Sequence, residues 1–80
     1  MNRAETLAWI DDVLDALDQR EVMAMIKETI ESDEATAEFF ETLDAETERY
    51  KAEGDIEIAE RLLAIARTIA SVRQNRKENL

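Results

Sequence analysis

Apolar residues recur along this chain at helical spacing. The first stripe is Leu7, Ile10, Val13, Leu14 and Leu17, whose three-and-four spacing confines it to an arc of roughly 120° on a helix. After Leu17 the register changes. Val22, Met23, Met25, Ile26 and Ile30 centre roughly 160° from the first stripe if one straight helix runs through both. Such a helix would present two opposite apolar faces. The pattern therefore predicts a break, with Asp18 and Glu21 giving a capping-box-like restart. The elements expected are a helix over 4–17 and another over 19–31. An unbroken helix over 4–31, held between partners, is the alternative.

Ser32-Asp33 reads as an N-cap, because these side chains accept from the first free N–H groups of a helix. A third helix over 34–53 follows, with Thr36, Phe39, Phe40, Leu43, Thr47 and Tyr50 on one side. Gly54 ends it, being able to turn left-handed without strain, and Asp55 caps the next helix. The Gly54-Asp55 corner predicts an antiparallel hairpin. The fourth helix, 56–75, carries Ile58, Leu62, Ile65, Ile69 and Val72 on one stripe. A second, alanine-rich stripe holds Ala59, Leu63, Ala66 and Ala70, so this helix is expected to touch two neighbours. A frayed basic tail over 76–80 is expected beyond it. The fold class is all-α: one domain over 1–80, a small bundle of three to four helices.

Composition supports the helices and removes much chemistry. There is no proline and one glycine among 80 residues, a helix-forming balance. Without cysteine or histidine, disulfides, zinc fingers, thiol nucleophiles and the usual general base are excluded. A chain this short buries only about 60% of its unfolded surface, which favours association with a partner or with itself.

The charge is −10 overall and uneven. Residues 1–60 hold 19 acids and 5 bases, a net −14, while 61–80 hold 5 bases and 1 acid, a net +4. An acidic body repels nucleic acid and anionic membranes and favours a basic protein surface. No apolar run approaches the ~18 residues of a membrane span, and no signal-peptide core is seen near the N-terminus. The compartment expected is the cytoplasm, or a host's cytoplasm for a phage-encoded chain.

At the hairpin, Leu43, Tyr50, Gly54-Asp55, Ala59, Leu63 and Ala66 stand at spacings that resemble one tetratricopeptide-type repeat over residues 40–70. Thr47 replaces that motif's usual glycine, Ser71 lies where its closing proline is absent, and no second repeat is visible. The resemblance implies a helical hairpin and a lean toward protein binding.

Candidate chemistry is sparse. Asp11, Asp12, Asp15 and Asp18 lie on a helix, whose carbonyls are already bonded, and so read as a solvated face rather than a calcium loop. Glu38-x-x-Glu41 and Glu57-x-x-Glu60 suggest the paired carboxylates of a magnesium-dependent nucleotide hydrolase. Glu41 and Glu60, however, project away from the apolar stripes of their helices. No cofactor, metal or catalytic residue is assigned. Trp9 lies about 90° from the first stripe's centre, at the core edge or as an interface anchor. The expected function is a non-catalytic interaction module that self-associates, most simply as a dimer, or docks on a partner. The candidate interface is Trp9, Asp11, Asp12, Asp15, Asp18, Val22, Met23, Met25, Ile26 and Ile30. An inhibitor or nucleic-acid mimic of the phage anti-defence kind is the alternative, and the hydrolase a second.

Overall fold

The computed structural model describes residues 1–16 and 18–78, with side chains up to Gln74. Among them are four helices and no strand: α1 (Arg3–Asp15), α2 (Gln19–Glu31), α3 (Ala37–Ala52) and α4 (Ile56–Glu78). The break near residue 18 is therefore present. Leu17, and the side chains of Arg76 and Lys77 in the expected basic tail, fall outside the described residues. No described helix is long and apolar enough to cross a membrane.

Each start has a local cause. Asn2 and Glu5 form a capping box at α1: the Glu5 N–H donates to Asn2 Oδ1 at 2.8 Å, and the Asn2 N–H to Glu5 Oε1 at 3.1 Å. Asp18 caps α2 by accepting the Glu21 N–H at 2.8 Å. The Asp55 carbonyl accepts the Ala59 N–H at 3.1 Å to open α4.

The start of α3 differs from the sequence expectation. Ser32 and Asp33 close α2 instead of opening α3, and Thr36 is the N-cap, accepting the Phe39 N–H at 3.3 Å. The two helix ends are built alike. At α2, the Asp33 N–H donates to Ile30 O and the Glu34 N–H to Thr29 O, with Asp33 at φ +57°. At α3, the Gly54 N–H donates to Lys51 O and the Asp55 N–H to Tyr50 O, with Gly54 at φ +88°. Both are Schellman closures with a left-handed residue after the C-cap. Asp33 takes the position that glycine fills at the other end.

The α3–α4 pair forms the largest helix–helix contact; α1 packs on α3 and α2 on α4. This explains the register shift near residue 18. Consecutive helices face different arms of the hairpin, so their apolar stripes must point in different directions. Buried residues from all four helices, among them Ile10, Val13, Ile26, Phe39, Leu43, Leu62 and Ile69, form one core. Thr6, Thr29 and Thr42 are buried with them. Each hydroxyl donates to the carbonyl four residues earlier, at 2.7, 2.9 and 2.9 Å, so none is left unsatisfied. On α4 the Ala-rich stripe is only partly used: Ala59 is buried and Ala66 half-buried, while Leu63 and Ala70 are exposed.

The α2–α3 connection is tied from two sides. The Met1 nitrogen donates to Glu34 O at 2.9 Å and Thr36 Oγ1 to Met1 O at 3.2 Å. From α4, the Arg73 guanidinium donates to Ala35 O at 2.9 Å and lies 5.6 Å from the centre of the Phe40 ring.

The matched closures predict opposite responses. Around Gly54 nothing lies within 4 Å of an added Cβ, so Gly54→Ala costs only the left-handed backbone, about 1 kcal/mol. Asp33→Gly relieves that strain and stabilises by about 0.5 kcal/mol. Thermal melts should show a fall of several degrees for the first, since about 1 kcal/mol shifts Tm by roughly 4–8 °C at this size. They should show a smaller rise for the second. A fall for Asp33→Gly contradicts the closure assigned to α2.

Candidate functional site

The ten candidate residues divide into three groups. Trp9 is core: it is 8% exposed, and its ring meets Phe39 edge-on with centroids 5.2 Å apart. Phe39 in turn meets Phe40 edge-on at 5.5 Å. The inward face of α1 runs through Thr6, Trp9, Ile10 and Val13, rotated about 50° from the stripe read in the sequence. Because the buried threonine donates within its own helix, this face accepts it as if it were apolar. The rotation brings Trp9 inward, and it is not a surface anchor.

Asp11, Asp12, Asp15 and Asp18 are exposed. Asp12, Asp15 and Glu21 border an open hollow of about 420 Å³ between α1 and α2, with Met25 and Ala16 beneath. Among the described residues no three carboxylates are placed to hold a metal ion. Glu38, Glu41, Glu57 and Glu60 are exposed. Arg49 on α3 bridges Glu46 and Glu53 and lies 4.5 Å from the Tyr50 ring centre. Its hydrogen bond to Glu46 is the main cause holding its pKa above the usual arginine value.

The α2 residues make the third group. Ile26 and Ile30 are buried, Val22 and Met25 are half-buried, and Met23 is 41% exposed. Ile26 and Ile30 floor a groove of about 620 Å³ whose sides include Met23, Ala24 and, from α4, Val72. Val72, expected on a buried stripe, is 37% exposed. The rim carries Arg20, Lys27 and Glu31. Lys27 reaches Glu31 at 4.0 Å, with both side chains largely in solvent. Beyond Met23 and Ile26 a smaller hollow of about 150 Å³ continues between α2 and α4 toward Arg61.

Reading the apolar stripe alone missed the groove's charged line. Arg20, Ala24, Lys27 and Glu31 repeat at four-three-four spacing, the period of a helix-packing seam. That spacing was present in the sequence, but a seam with three charged members does not register as apolar.

No protein-family model, no curated protein and no solved structure matches the chain. The tetratricopeptide likeness rests on residue spacing alone. Of the residues carrying it, Leu43 and Ala59 are buried, Tyr50 and Ala66 half-buried, and Leu63 exposed.

Truncation separates core from surface. Trp9→Ala should cost about 3–5 kcal/mol, enough to unfold much of a domain this small. Met23→Ala should stay within about 0.5 kcal/mol. Urea denaturation followed by circular dichroism measures both; comparable losses at the two positions contradict this division.

Proposed function

We propose that this chain acts by binding, as a non-catalytic helical interaction module whose docking surface is the α2–α4 groove. The observation that carries the reading is the exposure of Met23 and Val72 beside the buried Ile26 and Ile30. An apolar groove open along a helix pair receives a third, amphipathic helix. Methionine on its wall adapts to the incoming shape. Arg20 and Lys27 at the rim favour an occupant that brings a carboxylate as well as apolar side chains, although the chain as a whole is acidic.

The exposed Asp11, Asp12, Asp15 and Asp18 support a second reading, in which the acidic face occupies a basic groove on a nucleic-acid-binding protein. Such a contact is dominated by charge and weakens steeply with salt.

Affinity capture with three immobilised forms tests the two readings. They are the native chain, Met23→Glu, and the Asp11→Lys/Asp12→Lys pair, each run across a salt series. Groove docking predicts retention that survives salt and the aspartate reversal and is lost with Met23→Glu. Retention lost with salt or with the reversal, but kept in Met23→Glu, overturns the groove and moves the role to the acidic face.

A further inference from the structure

We infer that the helix entering the α2–α4 groove is α2 of a second copy of this chain, laid antiparallel about a two-fold axis; this rests on the groove being the docking surface. Arg20, Ala24, Lys27 and Glu31 form a line along α2, all four exposed and all on the groove side.

Their spacing is that of a packing seam, and their charges run from positive at the start of α2 to negative at its end. Two copies aligned in parallel would set Arg20 against Arg20 and Glu31 against Glu31. Reversed about a point between Ala24 and Lys27, the same line complements itself. Arg20 of each copy faces Glu31 of the other, and Ala24 faces Lys27. Alanine near the centre lets the axes approach, and the methylene stem of lysine lies over it with its ammonium in water. The exposed apolar surface of Met23 and Val72 is covered in the same step.

An isologous contact of this kind closes after two copies, so the proposal is a dimer and not a filament. A partner helix that sets a base against Arg20 or an acid against Glu31 meets like charges and is disfavoured. Each copy also carries a net −10, and that long-range repulsion is screened beyond about 8 Å at physiological salt. The dimer is therefore expected at such salt, and its specificity resides in the local Arg20–Glu31 pairs.

Light scattering and sedimentation equilibrium over a concentration series, at about 0.15 M salt, test this. The proteins are the native chain, Arg20→Glu, Glu31→Arg, and the double variant carrying both, each checked for folding by circular dichroism. The native mass should rise from the 9.2 kDa of one chain toward twice that value. Each single reversal places like charges opposite one another and should weaken association at least tenfold. The double reversal restores opposite charges across the two-fold axis and should recover most of the native association. A native chain that stays monomeric throughout overturns the second copy as occupant. So do single reversals that associate as well as the native chain, or a folded double variant that does not recover. If the monomer still retains another protein in a Met23-dependent way, the docking groove stands and only its occupant was misassigned. If that retention is absent too, the groove fails with it.

Discussion

With Gly54 in the left-handed region, Asp55 can close α3 and open α4 within one turn. The α3–α4 hairpin that results offers two flanks. α1 takes the α3 flank and α2 the α4 flank, and neither could bury its stripe without them. α4 is the longest helix, 23 residues against 13 for α1 and for α2. It pairs with α3 and supports α2, and near its end Arg73 holds the loop that joins those two. The chain reversal at Gly54 is thus the condition for burying the N-terminal half. α2 has the slighter support, since its contact with α4 is smaller than that of α1 with α3. Apolar surface is accordingly left open where α2 meets α4, at Met23 and Val72, and further along α4 at Ile56 and Leu63.

Much of this was legible in the residues. The change of register after Leu17 located the break, and Gly54-Asp55 located the hairpin, because each depends on local stereochemistry. What was misread depended on tertiary context. Ser32-Asp33 has the composition of an N-cap, yet the same residues serve a C-terminal closure when the chain must turn back before Thr36. Thr6 and Thr29 were passed over as polar, although a threonine hydroxyl bonded to its own helix buries much as valine does. Counting Thr6 as an inward residue rotates α1 far enough to bury Trp9. Val72 has the phase of a buried stripe, but exposure there depends on how far α2 reaches along α4, which periodicity does not encode.

The candidate site shows the same division. Asp11, Asp12 and Asp15 of α1 and Asp18 at the start of α2 were placed correctly on the surface, since four aspartates with few local cations have nowhere else to go. Of the α2 residues proposed for an interface, Ile26 and Ile30 floor the groove and Met23 walls it, so they shape a single surface. The charged line beside them was written in the sequence as plainly as the apolar one. Its place emerges only when Arg20 and Glu31 are seen on the open side of the helix, where, in the proposed dimer, their order along the axis would set direction and partner. The proposed groove therefore rests on the exposed Met23 and Val72 beside buried Ile26 and Ile30, and the proposed choice of a second copy rests on the order of Arg20 and Glu31.

The most direct measurement of the proposed contact between two copies is a dilution series followed by ¹H–¹⁵N correlation spectra. The account predicts shift changes concentrated at residues 20–31 of α2 and around Val72, with Asp11, Asp12 and Asp15 on α1 unmoved. Changes confined to those aspartates, or none at any concentration, would contradict it.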